Sequence, residues 1–495
     1  MPQPRLVVTV TAESMSVLRA RRDAASRAAD LVELRLDGVR DIDVAGALAD
    51  RRMPVIVTCR SQREGGRFDG PEDQRLAFLA EAARGGAEYV DVEWTADFAP
   101  LVALRGGKGI VLSSHDFDGV PADLAGRWRA MRAAGVEIVK LAVMARRLGD
   151  NLRLLELGAG AEPGSAVLLG MGLPGLPSRV LAGRFGSAWT YSGDGVAPGQ
   201  LPAERMLTEF RFRQVTSATR VFGVVGNPIG HSLSPAMHNA AFSETGEDAV
   251  YLPFEAESAD DFLCFARALG VAGASVTAPF KQALASAARY EAGDPAASLG
   301  AINTLKASTD GWLGRNADVE GFLAPLDARG IRLDGCRASV VGSGGAARAV
   351  AFAMVKRGAT VTVHGRDLAR AEAAAAVAPG GMATDGPVQA GEWDLLVNAT
   401  PVGTWPGLDE TPVPAGALVG GRWVYDLVYN PRRTRLLADA AAAGCACVPG
   451  IEMLVAQAGR QFEWWTGKTA PHGSMRAAAE QRLSATNPVD RAGDR

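Results

Sequence analysis

The sequence predicts an α/β protein: a (βα)8 barrel over residues 1–215, then a two-lobed α/β body. Three observations predict it. Eight short apolar runs recur with helix-length spacers before residue 192. A strand, tight loop and helix restart the chain at VFGVVGNPIGHSLSPAMH (221–238). A glycine-rich strand–helix–strand unit opens at Ala338. At 495 residues the chain exceeds one hydrophobic core, and about 150 residues per domain implies three compact bodies.

Composition narrows the function. A net charge of −3 with 47% hydrophobic residues describes a globular protein with no basic excess for nucleic acid or anionic lipid. No run of 18 or more uncharged apolar residues occurs, and the start has neither a signal-like core nor a cleavage site, so the expected location is the cytoplasm. The five cysteines (Cys59, Cys264, Cys336, Cys445, Cys447) are scattered and lack a paired C-x-C partner for zinc, so no metal is expected. Only six of the 52 basic residues are lysines: Lys108, Lys140, Lys281, Lys306, Lys356 and Lys468. Arginine stays protonated while lysine can act as a nucleophile or proton carrier, so a lysine kept inside an apolar run points to amine chemistry.

The expected barrel strands are 6–11, 31–36, 55–59, 89–93, 110–114, 138–143, 166–170 and 188–191. Polar residues at strand ends of a barrel face its site, and here these are Glu33, Arg35, Arg60, Glu93, His115 and Lys140. Desolvation within 138–143 favours a neutral Lys140 amine able to attack a ketone, with His115 on the neighbouring strand to move a proton. Singly, each reads more readily as a snorkelling lysine or a hydrogen-bonded core histidine. Together they favour a site.

VELRLD (32–37), TCRSQREGG (58–66), SSHDF (113–117), EIVKLAV (137–143), MGLPGLPSR (171–179) and APGQ (197–200) resemble type I 3-dehydroquinate dehydratase, in that family's order. The resemblance implies a Schiff base on Lys140, His115 as general acid and base, and Glu64 orienting His115. It implies Arg179 on the substrate carboxylate, with Glu33, Arg35, Arg60 and Gln200 binding hydroxyls and closing the site. Val196 stands where the family usually has a small hydroxyl residue, a loss of about 0.5–1.5 kcal/mol in binding.

Residues 211–220 are short and polar and read as a brief linker. Beyond them, Ser234 and Pro235 read as a helix cap and first helical residue, and Ser232 and Ser234 can meet one anion where the helix leaves its first amides unpaired. GASVTAPFK (273–281), GAINTL (300–305) and GRNADVEGF (314–322) bring Lys281, Asn303, Asn316 and Asp318 from strand ends or loops. A lysine beside an aspartate can steady a developing alkoxide and relay its proton, although a surface ion pair fits the spacing equally well. In ASVVGSGGAARAV (338–350), a strand meets Gly342, Gly344 and Gly345 and then a helix, the opening of a Rossmann βαβ unit that brings backbone amides to a pyrophosphate. Arg366 stands at the end of the second strand, where NAD enzymes place an acid, with Arg370 one turn on. Guanidinium there suits the 2′-phosphate of NADP.

With LLVNATPVGTWP (395–406), VYDLVYNP (424–431) and PGIEMLVAQAGRQFEWWTG (449–467), these pieces are similar to shikimate dehydrogenase over about 221–480. The resemblance implies carboxylate binding by Ser232 and Ser234, a catalytic Lys281–Asp318 pair, hydroxyl contacts from Thr277, Asn303 and Gln457, and Tyr429 lining the cleft. Gly342, Gly344, Gly345, Ala346, Arg366, Arg370, Thr400 and Gly450 would hold NADP. Two departures are Ala317 for the usual threonine before the aspartate, and His364 to Asp367 in place of the usual Asn-Arg-Thr. The expected domains are a substrate lobe over 219–330 completed by helices within 450–482, a Rossmann lobe over 331–449, and a disordered tail over 483–495. The combined expectation is a bifunctional enzyme taking 3-dehydroquinate to 3-dehydroshikimate and then, with NADPH, to shikimate, with an oligomer possible. The alternatives are a quinate-directed dehydrogenase fusion and a catalytically silent sensor of pathway intermediates, which Lys140, His115, Lys281 and Asp318 argue against.

Overall fold

The computed structural model describes residues 3–486. Near-continuous Val, Ile and Leu runs form eight strands buried on both faces, as strands covered by helices must be. They are β1 (Arg5–Thr11), β2 (Leu31–Arg35), β3 (Val55–Thr58), β4 (Tyr89–Glu93), β5 (Ile110–Asp116), β6 (Ile138–Met144), β7 (Ala166–Met171) and β8 (Trp189–Ser192). Their order is β7-β6-β5-β4-β3-β2-β1-β8, and the paired neighbours run parallel. The Ala188 amide donates to Ala166 O at 2.7 Å and nearly closes the ring. Val7, Leu31, Ile56, Val111, Ile138, Val167 and Trp189 fill one part of its interior. The predicted (βα)8 barrel is therefore present, with every expected strand in place.

The following strands are β9 (Arg220–Gly226), β10 (Ala249–Glu255), β11 (Val271–Val276), β12 (Ala288–Tyr290), β13 (Thr304–Ser308) and β14 (Gly311–Arg315), in the sheet order β10-β9-β11-β13-β14-β12. A second six-stranded sheet contains β15 (Arg337–Val341), β16 (Thr360–His364), β17 (Met382–Thr384), β18 (Leu395–Asn398), β19 (Trp423–Asp426) and β20 (Ala446–Val448). All its pairings are parallel, in the order β17-β16-β15-β18-β19-β20. That is the doubly wound arrangement in which strand order reverses beside the first strand, and ligands bind outside the carboxyl ends at that reversal. By contacts the chain divides into two compact units. One comprises Met1–Val221, Asn227–Gly230 and Asp248–Gly270; the other comprises Phe222–Gly226, His231–Glu247 and Val271–Arg495.

Two local expectations change. The helix after β9 spans Ser234–Glu244 with Leu233 as its cap, so Ser234 and Pro235 are its first and second residues. Leu233 caps without a side-chain bond, and the Ser232 hydroxyl just before it accepts from the Ser234 amide at 3.3 Å. The tail does not begin at 483, because the last helix spans His472–Thr486. Met475, Ala479 and Leu483, four residues apart, are all buried on one face. This helix packs on Ser234–Glu244, and the helix Ile451–Thr466 packs on Asp318–Ala328. Residues 487–495 of the expected tail lie outside the described residues. No helix among the described residues is long and apolar enough to cross a membrane.

Candidate active sites

In the barrel, parallel register sets the inward polar residues side by side: Thr9 opposite Glu33, Thr58 opposite Asp91, and Ser113 opposite Lys140. Lys140 is 5% exposed. Its Nζ donates to Asp91 Oδ2 at 3.0 Å, lies 3.8 Å from Glu33 Oε1, and sits 4.2 Å from the centre of the Tyr191 ring. Glu33 also accepts from Thr9 (2.8 Å) and Thr58 (2.9 Å). Arg60, expected on substrate hydroxyls, donates to Asp91 at 2.7 Å and Ser113 at 2.8 Å, and lies 3.3 Å from Glu93. Burial alone would raise the Asp91 carboxyl, but Arg60 and Lys140 outweigh it and hold Asp91 well below the usual carboxylate range. Arg35 is spent on Asp37, through bonds of 2.7 and 2.8 Å.

His115 lies on β5, next to β6. Its ring Nδ1 is 2.9 Å from Glu64 Oε2, and its backbone amide donates to the same oxygen at 3.1 Å. Burial, then the positive charges of Arg60 and Lys140, push the imidazole well below its usual value. Burial lifts Glu64 to about 7, with Arg60 opposing. The pair thus holds a neutral imidazole whose Nε2 is left to act on a substrate. Arg179 is buried, donates only to Pro198 O (3.3 Å), and its Nε has no partner among the described residues. Desolvation lowers it to about 10. A buried guanidinium lacking a carboxylate is a seat for an incoming anion. Gln200 donates to Thr9 Oγ1 at 3.4 Å, and its buried Oε1 is likewise unpartnered. Sequence reasoning missed Asp91, although an acid alternating with Glu93 in the apolar YVDVE was the available signal.

In the second unit, Lys281 Nζ donates to Asp318 Oδ2 at 2.5 Å, and Asn303 Nδ2 donates to Asp318 Oδ1 at 2.8 Å. Both carboxylate oxygens are therefore held. Asn303 Nδ2 also reaches Gln457 Oε1 at 3.3 Å, so the structure gathers four of the expected residues into one cluster. Thr277 follows β11 with its amide donating to Val225 O (3.0 Å), which sets it beside the end of β9 and the loop to Ser232 and Ser234. Asn316 caps the start of the Asp318 helix by accepting from the Asp318 amide at 3.0 Å. The Ala317 amide donates to Asn303 Oδ1 at 2.8 Å, so the contribution of position 317 to Asn303 comes from the backbone. Tyr429 is half-buried beyond β19, and burial raises its phenol.

A cavity of about 440 Å³ opens at the reversal of strand order, lined by Lys281, Ser343, Gly344, Gly345, Arg348 and Arg370 among others. Gly342 has φ +119°, and a Cβ there would press on the Ala399 backbone at 3.0 Å, so only glycine makes this turn into the helix Gly345–Lys356. The residues fit a dinucleotide. Free helix amides face the cavity, two guanidinium groups line it, and Arg348 Nε is buried without a partner among the described residues. Arg348 was missed because nothing in an alanine-rich helix marks one arginine. Arg366 is exposed beyond β16 and does not line this cavity, while Arg370 does. Asp367 caps the helix Leu368–Ala375, its Oδ1 accepting from the Arg370 amide at 3.2 Å. Ala346 lies in the first turn of its helix, outside the lining. Thr400 donates to Asn398 Oδ1 at 2.6 Å at the end of β18. Gly450 lies against the carbonyls of Leu427 and Val428 rather than in the cavity lining, and a Cβ there would be 2.5 Å from each oxygen.

Known proteins match both units of the chain. The family model for type I 3-dehydroquinase covers residues 6–217, that for the shikimate dehydrogenase substrate binding domain covers 224–305, and that for the shikimate 5′-dehydrogenase C-terminal domain covers 450–480. A chloroplastic bifunctional 3-dehydroquinate dehydratase/shikimate dehydrogenase of Arabidopsis thaliana is 34% identical over 479 residues, covering 90% of this chain and 78% of the relative. A shikimate dehydrogenase (NADP(+)) of Halobacterium salinarum is 46% identical over 269 residues, 53% of this chain and 99% of the relative. A crystal structure of a shikimate dehydrogenase in complex with NADP+ superposes with TM-score 0.51 at 31% identity, over 54% of this chain and 97% of the other. The family models thus fall in the order of the two activities in the plant relative's name, and the chain belongs to the bifunctional 3-dehydroquinate dehydratase/shikimate dehydrogenase family.

Proposed function

We propose that the barrel dehydrates 3-dehydroquinate through a Schiff base on Lys140, and that the second unit reduces the resulting 3-dehydroshikimate to shikimate at Lys281 and Asp318. The observation that carries the reading is the buried Lys140–Asp91 pair (3.0 Å), with a neutral His115 held by Glu64 on the adjacent strand. Asp91, locked as an anion, steadies the cationic nitrogen. The Lys140 amine attacks the ketone carbon, and its oxygen leaves as water to give an iminium. His115 takes the proton from the neighbouring carbon, and the electron pair moves toward nitrogen. That pair then returns and expels the β-hydroxyl, which departs as water with the proton from His115. Water added back to the imine frees Lys140, and the net change is loss of one water. Arg179 holds the substrate carboxylate, while Glu33, Arg35, Arg60 and Gln200 shape and close the site around its hydroxyls.

In the second unit Ser232 and Ser234 hold the carboxylate, and Thr277, Asn303 and Gln457 hold hydroxyls beside Tyr429. Lys281 presents a proton to the carbonyl oxygen as it becomes a hydroxyl, solvent water returns a proton to the amine, and the Asp318 carboxylate holds Lys281 in place across their 2.5 Å bond. NADP, when bound, supplies the hydride chemistry. Gly342, Gly344, Gly345 and Ala346 would receive its diphosphate, Arg366 and Arg370 its 2′-phosphate, and Thr400 and Gly450 would border its nicotinamide side. The five unpaired cysteines fit a reducing compartment, and we place both reactions in the cytoplasm, on small-molecule substrates alone.

The test assays each step separately on Lys140→Ala and Lys281→Ala, with 3-dehydroquinate followed by the ultraviolet absorbance of the conjugated product and 3-dehydroshikimate by NADPH oxidation. Each variant is expected to lose one activity and keep the other. Loss of both from either change, or retention of both, overturns the assignment.

A further inference from the structure

Behind the Lys281–Asp318 pair runs a buried set of hydrogen bonds that the reaction itself does not use. Gln461 lies one helical turn beyond Gln457 and is 1% exposed. Its Oε1 accepts from Ser275 Oγ at 2.7 Å, and its Nε2 donates to Asn303 O and Thr304 Oγ1, each at 3.0 Å. Resting on the reading of Lys281 and Asp318 as the dehydrogenase's acid–base couple, we propose that Gln461 is a positioning residue that fixes which way the Asn303 amide faces and so orients Asp318 and Gln457.

The argument is one of counting donors. A hydroxyl has one proton, and that of Thr304 goes to Asn303 Oδ1 at 2.8 Å. Thr304 can spend its proton there because Gln461 Nε2 occupies its acceptor side. Asn303 Oδ1 thus receives two donors, Thr304 O–H and Ala317 N–H. Its NH2 must face the other way, toward Asp318 Oδ1 and Gln457 Oε1. A flipped Asn303 would set its oxygen against two acceptors and its NH2 against two donors, which a site this dry does not tolerate. Gln457 is oriented in turn: its Oε1 is taken by Asn303, and its Nε2 donates to Leu454 O at 3.1 Å with one hydrogen left over. Gln461 therefore acts on a substrate it does not touch, through Thr304 and then Asn303.

The experiment is a double-mutant cycle on the full chain, using Gln461→Met and Thr304→Val. Both replacements keep approximate volume and remove one link of the same chain of bonds. Each single change is expected to lower dehydrogenase kcat/KM by about tenfold. The double variant should fall by about the same tenfold rather than a hundredfold, because either change already breaks the one path by which Gln461 acts on the Asn303 side-chain amide, the Thr304 hydroxyl. Thr304→Ser, which restores the hydroxyl, should recover activity to within about twofold of wild type. Shikimate affinity measured by calorimetry without dinucleotide should weaken in the same pattern, while NADP+ binding by tryptophan fluorescence stays unchanged and reports a folded unit. Independent, multiplying losses overturn the proposal, as does unaltered activity in the singles. Should Gln461→Met fail to bind NADP+, Thr304→Val against Thr304→Ser decides alone: equal activities refute it. A Lys281→Ala chain that still reduces 3-dehydroshikimate would instead remove the underlying reading of the couple.

Discussion

The Glu64–His115 pair makes a prediction in which stability and catalysis separate. Glu64→Gln keeps the shape of the side chain and removes its titration. In the folded wild type, burial keeps the imidazole neutral and lifts Glu64 to about 7, so the pair carries one proton below that pH. The unfolded chain also carries one proton on these two groups between the ordinary values of 4.5 for the carboxyl and 6.5 for the imidazole. Proton counts match, so across this window the pair adds no slope to stability. In Glu64→Gln the folded site carries none, since burial, Arg60 and Lys140 still hold His115 neutral, while the unfolded imidazole gains a proton below 6.5. Unfolding then takes up a proton, and stability falls by about 1.4 kcal/mol for each pH unit below that value. Below pH 6.5 the variant should therefore lose stability relative to its own value at neutrality, where wild type shows no such slope. Urea unfolding at a series of pH values reads the slope directly. The dehydratase rate, followed by the ultraviolet absorbance of the conjugated product, should drop by about a hundredfold with the dehydrogenase rate unchanged. A variant whose pH–stability curve parallels wild type, or whose dehydratase rate survives, would falsify the shared-proton account.

Other outcomes follow from unpaired or exposed cations. Arg179→Met should raise the dehydratase KM by about ten- to a hundredfold, the loss of a charge-assisted bond of about 1.5–3 kcal/mol, without lowering the thermal midpoint, because it removes a buried charge that has no carboxylate. An unchanged KM would remove Arg179 from the substrate site. Arg370→Ala should weaken NADP+ binding by about tenfold in calorimetry and leave NAD+ binding nearly unchanged, with Arg366→Ala having the smaller effect of an exposed residue outside the cavity lining. Equal losses for the two dinucleotides would assign Arg370 to the diphosphate instead.

The parts that were legible in the sequence are those that periodicity and rare residue types report. Eight apolar runs gave eight strands because each is buried on both faces. Lys140 and Lys281 stood out because lysine is scarce in this chain. What stayed hidden depended on partners distant in sequence. Asp91 reads as one acid in a strand until the barrel brings Lys140, 49 residues away, to within 3.0 Å. Gln461 reads as a helical polar residue until Asn303, 158 residues earlier, is seen to need it. The cap expected at Ser234 falls one residue earlier, on Leu233, because a leucine carries no capping signal in a string of letters and only backbone geometry puts the helix start there. Leu483 was lost to a polar neighbourhood, although its spacing from Met475 and Ala479 continues the buried face.

Because Gln457 and Gln461 come from the helix Ile451–Thr466, the pocket around Asn303 is assembled from pieces made early and late in translation. Every barrel strand has left the ribosome long before that helix is synthesised. A stop codon anywhere between Lys281 and Gln457 would therefore leave a polypeptide able to make the intermediate and unable to consume it.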